Sequence, residues 1–419
     1  MKKVIKNGLV ITMDPNRKKQ YEALDIVITD NLITEMVDNY QGQADMIIDA
    51  GGKIVMPGLI NCHTHLGMSV FRATNDNLNL NDWLTKKIWP LEAQMTDQDI
   101  YYTTLLSCVE MIKTGTTTNN DMYFGWQESI KAINETKIRQ VFTRTLIGDN
   151  DENALAKIAD FEALYQQYQN YPLITFMVAI HSLYTTNQDY IAACSALASK
   201  YNLPIHIHLS ENKNEVETIT QKYQNKPVNA LKELGLLDHK LLLAHGTFID
   251  EEEQKILAQH DVAICHNPLS NLNLGCGIAD ITSYLKTGLN VCLGTDGQGS
   301  GNNLNLFYHM SMVDLLQKAI YQDPTIMSSY DVLKIATING AQALGLESKI
   351  GSIEPGKLAD LIILDLNNTE IYPTVDLITQ VVHNVQSNNI DFTIINGEIL
   401  MANHELLIPV DEMILKTKI

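Results

Sequence analysis

Between residues 54 and 300, short apolar runs rich in β-branched residues alternate with longer amphipathic segments. The runs predict strands over 54–61, 116–123, 140–147, 174–181, 203–210, 241–245, 262–266 and 289–296. Between them, 101–113 and 154–168 carry apolar residues at helical spacing, and 228–237 does so more weakly. Eight strands in βα alternation predict an α/β fold, parallel strands closed into a (β/α)8 barrel. An open doubly wound sheet is the rival architecture, but no Gly-x-Gly-x-x-Gly turn follows the first strand.

Outside that region the pattern differs. Residues 3–13 alternate around Asn7-Gly8, and 23–37 turn at Asp30-Asn31, so the first 55 residues read as short strands. Residues 303–345 read as helical. The turn-rich Gly351-Ser-Ile-Glu-Pro-Gly-Lys357 follows, then strands over 360–365 and 391–401. Asn396-Gly397 sits in an apolar run much like that around Asn7-Gly8, each a hairpin signal. The two chain ends are therefore expected to pair into one small β-sandwich domain, residues 1–55 with 355–419, beside a barrel of residues 56–354.

Nearly every predicted barrel strand ends in a polar or ionisable residue: His63 and His65, Asp121, Arg144, His181, His208, His245, His266 and Asp296. Active sites of this barrel sit at the carboxyl ends of its strands. Closure would gather these groups on one face.

The formal net charge is −19, with no cluster of Lys and Arg, which argues against a nucleic-acid partner. No apolar run reaches the length of a membrane helix. Asp14 and Pro15 interrupt the N-terminal segment before a signal-peptide core could form. A soluble, cytoplasmic protein is expected. Six cysteines form no Cys-x-x-Cys pair, and reduced thiols are the default.

His63-Thr-His65 follows an apolar strand, and side chains two apart on a strand face the same way. By the same alternation Cys62 should point outward, towards the helices. With His208, His245 and Asp296 at other strand ends, three imidazoles and a carboxylate suit zinc, Fe(II) or another borderline divalent ion. Glu211 leaves the strand three residues after His208 and can reach over the site, where a carboxylate can shuttle protons. His206 shares the face of His208 one pleat deeper, and reads as a packed residue behind the site. His266 reads as shaping the pocket or its support.

Pro57-Gly-Leu-Ile-Asn-Cys-His-Thr-His65, Leu293-Gly-Thr-Asp-Gly297 and Glu354-Pro-Gly-Lys-Leu-Ala-Asp360 resemble motifs of the amidohydrolase superfamily, in family order along essentially the whole chain. Asn81-Asp-Trp-Leu84, Pro90-Leu-Glu92, Gly115-Thr-Thr-Thr118, Asp121-Met-Tyr123 and Asn267-Pro-Leu-Ser-Asn271 narrow the resemblance. It points to the methylthioadenosine/S-adenosylhomocysteine deaminases and their chlorohydrolase relatives. The resemblance implies His63, His65, His208 and Asp296 as ligands of a divalent metal, zinc first and iron second. It implies Glu211, His245 and Asp296 in catalysis, with Glu211 protonating a ring nitrogen of the substrate. Two-metal members bridge their ions with a carboxylated lysine from the fourth strand. Residues 174–181 hold no lysine, so one metal per subunit is expected. A homo-oligomer is expected from the relatives.

The resemblance also implies a purine nucleoside as substrate: Trp83 as a wall of the purine pocket, Glu92 and His181 at the ribose and neighbouring atoms, and Arg144 at an amino-acid carboxylate. The loop Gly148-Asp-Asn-Asp-Glu152 lacks the second arginine of relatives that favour S-adenosylhomocysteine, and its acids would repel a carboxylate. Methylthioadenosine or adenosine is therefore favoured. The alternatives are a guanine or oxidised-purine deaminase, a triazine hydrolase, and a non-catalytic binding protein. A ribose-binding Glu92 would serve no purpose for a free base.

Overall fold

Residues 54–61 do not form one strand. Pro57-Gly58 divides them between two sheets, with Lys53–Pro57 in the terminal sheet and Leu59–Thr64 opening the barrel. Gly58 donates to Asp360 O of the first, and the next residue, Leu59, donates to Gly115 O of the second. A Cβ on Gly58 would lie 2.1 Å from the Thr117 side chain, so the two sheets meet where no side chain fits. The computed structural model describes residues 1–74, 77–144, 151–369 and 371–418, apart from the side chains of 144, 151–155, 414 and 416.

In chain order the strands are β1 (Lys2–Val10), β2 (Glu22–Thr29), β3 (Leu32–Val37), β4 (Met46–Asp49), β5 (Lys53–Pro57), then the barrel strands β6 (Leu59–Thr64), β7 (Thr116–Tyr123), β8 (Arg139–Arg144), β9 (Ile174–Ser182), β10 (Ile205–Leu209), β11 (Leu241–His245), β12 (Val262–His266) and β13 (Asn290–Leu293), and finally β14 (Leu361–Asp365), β15 (Ile390–Ile395), β16 (Glu398–Ala402) and β17 (Glu405–Leu406). β6 to β13 are parallel and pair in sequence order. The last strand meets the first where Thr295 N–H and Asp296 N–H donate to His63 O, at 3.2 and 3.0 Å.

The terminal strands form a nine-stranded sheet in the order β17-β16-β15-β14-β5-β1-β2-β3, with β4 on β1. β5 and β14 are apolar on both faces for a reason. Val55, Leu361 and Ile363 pack into a core of their own with Ile5, Ile26 and Ile28. Their neighbours Ile54, Met56, Ile362 and Leu364 pack with the barrel helices. Period-two alternation thus becomes a continuous apolar run, as in any strand buried on both sides. A buried ion pair crosses the same boundary: Arg139 Nε and Nη2 hold Asp360 at 2.7 and 3.0 Å.

Asn396-Gly397 is the tight turn between β15 and β16, with φ of 52° and 75°. Asn7-Gly8 is not a turn. It lies within β1 as a bulge, where the register with β2 slips between Ile5 and Gly8. Left-handed φ at an Asn serves either geometry.

Cys62 also departs from expectation. It packs in one apolar cluster with Val141, Met177, Leu242, Cys265 and Cys292. Side chains from several strands around a barrel meet only inside it, so Cys62 faces inward. The register of β6 slips between Asn61 and Thr64, and simple alternation fails there. Leu344, Leu346 and Ile350 join that cluster from beyond the last barrel strand. Lys240 Nζ, at the start of β11, reaches Gln342 O, so this segment covers the amino-terminal end of the barrel.

Candidate metal centre and active-site pocket

The carboxyl ends of β6, β10, β11 and β13 bring five of the expected residues together. One potential ligand atom each from His63, His65 and His208 lie within 4.8 Å of one another, and so do those of His63, His245 and Asp296. His65 Nδ1 donates to Met122 O at 2.6 Å, and His208 Nδ1 to His181 O at 2.7 Å. A carbonyl can only accept, so the neutral rings carry their protons on Nδ1 and turn bare Nε2 atoms to the centre. His63 is completely buried, and its Nε2 finds no hydrogen-bond partner among the described residues. Asp296 Oδ1 lies 3.3 Å from His63 Nε2 and 2.9 Å from His65 Nε2.

The charges fit a cation. Burial opposes an ionised Asp296, yet the close rings of His63 and His65 and their charges hold its carboxyl well below the usual range. Burial pushes His63 down to about 3 and His208 well below its ordinary value. Burial also works against a proton on His65, but Asp296 outweighs it and raises this ring to about 9. With protein groups alone, the cluster retains a proton to balance its carboxylate. Three imidazoles and one carboxylate are a donor set for zinc or Fe(II), which would supply that balance instead.

Glu211 sits at the rim, 8% exposed. Its Oε1 is 3.7 Å from His245 Nδ1 and 3.9 Å from Cys276 Sγ. Burial first, then the charge of Asp296, pushes it up to about 8. His245 Nδ1 lies 2.8 Å from Asn271 Oδ1, and Asn271 Nδ2 donates to Thr247 Oγ1 at 3.1 Å. With the amide oxygen of Asn271 facing it, His245 donates from Nδ1 and leaves Nε2 as an acceptor. Burial lowers the pKa of His245.

His65, His208, Glu211, His245 and Asp296 line one cavity. Met68, Leu80, Trp83, Leu84 and Ile88 make an apolar wall, and Glu92, His181 and Tyr184 add polar groups. The Trp83 ring is buried, and its indole N–H has no partner among the described residues. Glu92 accepts from Tyr123 OH at 2.9 Å, and burial raises its pKa. His181 Nδ1 lies 2.8 Å from Thr185 Oγ1, and burial lowers the ring to about 4. Arg144 ends β8, but its side chain and the loop 145–150 lie outside the described residues.

His206 lies behind the cluster, its Nε2 3.1 Å from His63 Nδ1. His266 is buried and does not line the pocket. Several contributors had no assigned role in the sequence. Ser270 and Ser300 both donate to Asp296 Oδ2, at 2.7 and 2.5 Å, and Asn271 fixes His245. Ser270 and Asn271 belong to the Asn267-Pro-Leu-Ser-Asn271 motif, which was the available signal. Tyr123 belongs to the Asp121-Met-Tyr123 motif, whereas Ser300 and Cys276 had no comparable signal.

A parallel barrel with this donor set at the carboxyl ends of its strands defines a metal-hydrolase type of site. The chain belongs to the amidohydrolase family, whose model matches residues 54–400. It is 40% identical over 410 residues to a 5-methylthioadenosine/S-adenosylhomocysteine deaminase of Caldanaerobacter subterraneus subsp. tengcongensis, covering 97% of this chain and 94% of the relative. It is 36% identical over 416 residues to a 5'-deoxyadenosine deaminase of Methanosarcina acetivorans, covering 99% and 96%. A crystal structure of an adenosine deaminase from Xanthomonas campestris with bound zinc superposes with a TM-score of 0.94 at 28% identity, over 99% of this chain and 96% of that one.

Proposed function

We propose that this protein hydrolytically deaminates an adenine nucleoside, giving the inosine analogue and ammonia. One observation carries the reading. A buried glutamate with a raised pKa, Glu211, overhangs a His-His-His-Asp cluster in a cavity that also holds Glu92.

In this reading His63, His65, His208 and Asp296 hold one divalent ion, zinc before iron. Such an ion supplies a water activated for attack near neutral pH. Burial favours the protonated form of Glu211, which gives its proton to a ring nitrogen, drawing electrons from the carbon that bears the amino group. His245 presents a bare Nε2 and, with Asp296, takes or steers the proton of the attacking water. The proton taken from the water passes to the amino group, the C–N bond breaks to release ammonia, the oxygen stays on the ring carbon, and its remaining proton returns to Glu211. Trp83 and the apolar wall exclude water and take the purine face. Glu92 and His181 take the ribose and its neighbouring atoms, and the family motif assigns Arg144 to an amino-acid carboxylate.

The preference for methylthioadenosine or adenosine over S-adenosylhomocysteine rests on the arginine-free loop 148–152. Two structural units are proposed, residues 1–55 with 355–419 and residues 56–354, with the first boundary shifted to Pro57-Gly58 because Met56 and Pro57 pair in the terminal sheet. Among the described residues no helix is long and apolar enough to cross a membrane. A cytoplasmic location is supported by six free cysteines, which fit a reducing compartment.

The test is ultraviolet-monitored deamination of methylthioadenosine, adenosine, S-adenosylhomocysteine and guanine by zinc-loaded protein. Turnover of the first two, with weak activity on the third, supports both the reaction and the loop argument. Strong S-adenosylhomocysteine turnover overturns the loop argument alone. No nucleoside turnover overturns the reading in favour of a free base or a triazine.

A further inference from the structure

The turn that carries Glu211 contains a second buried acid. β10 ends at Leu209, and Ser210 takes a left-handed φ of 54°. The helix Lys213–Tyr223 starts three residues on, with Asn212 as its cap accepting from Glu215 N–H at 2.8 Å. A glutamate at Glu215's position ordinarily returns to the N–H of the cap residue itself. Glu215 reaches further. Its Oε1 accepts from Ser210 N–H at 3.1 Å and its Oε2 from Glu211 N–H at 2.7 Å. The side chain is 4% exposed.

A helix cap alone does not account for this arrangement. Burial, then the charge of Glu211, pushes Glu215 up to about 7, so an acid here is costly to keep ionised. Two buried N–H groups on consecutive residues need an acceptor each, and a carboxylate supplies one oxygen to each. Glutamine would turn an N–H2 towards one of the two donors. An apolar residue would leave both unpaired.

We propose that Glu215 is a positioning residue for catalysis: by clamping the backbone N–H groups of Ser210 and Glu211, it fixes where the Glu211 side chain leaves the chain and holds its carboxyl over the metal cluster. Glu215 itself does not line the substrate cavity. The inference rests on the proton-donor role proposed for Glu211.

The experiment compares wild type, Glu215→Gln, Glu211→Gln and the double variant as zinc-loaded proteins, with kcat, KM and metal content measured on each. A misplaced catalytic group costs turnover more than binding, so Glu215→Gln should lower kcat roughly 10- to 100-fold with KM and metal content little changed. In the Glu211→Gln background the same change should cost less than about threefold, because the group it positions is already disabled. Glu215→Asp keeps the charge one methylene short and should give an intermediate kcat, which serves if Glu215→Gln does not fold. Losses that multiply in the double variant overturn the proposal, as does a near-normal kcat in Glu215→Gln beside a disabled Glu211→Gln. A fully active Glu211→Gln overturns the role of Glu211 itself, and this inference with it.

Discussion

His65 Nε2 stands 2.9 Å from Asp296 Oδ1, while the other oxygen of Asp296 accepts from Ser270 and Ser300. The carboxylate is thereby divided: one oxygen faces the cluster and the other is anchored. Removing an anchor should loosen metal without removing a ligand. Ser270→Ala is expected to weaken zinc binding roughly 10-fold or more in competition with a chelator. Activity should return when zinc is in excess. Chelation of wild type should abolish turnover, and zinc should restore it.

Glu211→Gln removes the proton donor and preserves shape. Metal content should stay at the wild-type level, and kcat should fall about 100- to 10,000-fold. A variant with near-normal turnover would remove Glu211 from the chemistry.

The pH dependence follows from the same side chain. Its carboxyl is raised to about 8 by burial and Asp296. The active form is the protonated one, present below that value and lost as pH rises through it. A bound cation favours the ionised form and moves the limb downward. Therefore kcat should fall with unit slope on the alkaline side, with its midpoint at or below about pH 8. A profile flat to pH 10 would contradict the assignment.

Glu92 distinguishes a nucleoside from a free base. A hydrogen bond to a charged group contributes about 1.5–3 kcal/mol, so Glu92→Gln should lower kcat/KM for adenosine by roughly 10- to 100-fold. Wild type should lose a similar factor on 2',3'-dideoxyadenosine. The variant should discriminate little between the two substrates.

The Arg139–Asp360 pair is buried at both ends. Arg139→Ala leaves Asp360 charged and buried, with Asn396 N–H still donating to it. Removing one member of a buried pair costs roughly 3–5 kcal/mol. The denaturant midpoint should drop, while kcat of the folded fraction stays unchanged.

The barrel was legible because strands such as β11 and β12 read as apolar runs, β7 as a run opening on β-branched threonines, and nearly all end in a functional residue. β7, β11 and β12 have the predicted bounds. The division at Pro57-Gly58 was hidden, since Met56 and Leu59 are equally apolar although they belong to different sheets. Cys62 was misplaced because a strand irregularity leaves no trace in composition. Asn7-Gly8 and Asn396-Gly397 look alike in sequence, and the partner strands decide which becomes a bulge. The clustering of His63, His65, His208 and Asp296 followed from strand ends and family motifs. The clamp of Glu215 on Ser210 and Glu211 did not, because backbone hydrogen bonding from a side chain has no sequence signature beyond helix capping.

Barrel closure has a consequence for synthesis. The His63 carbonyl receives the N–H groups of Thr295 and Asp296, so the first and last strands join at residues of the cluster itself. A nascent chain that has passed His208 holds three imidazoles with neither the carboxylate nor the seam that sets their spacing. The fourth donor and the closing hydrogen bonds arrive together, more than two hundred residues after the first histidine. On the proposed ligand set, tight metal uptake would signal a finished barrel, and a ribosome stalled before Asp296 would carry a product that cannot give it.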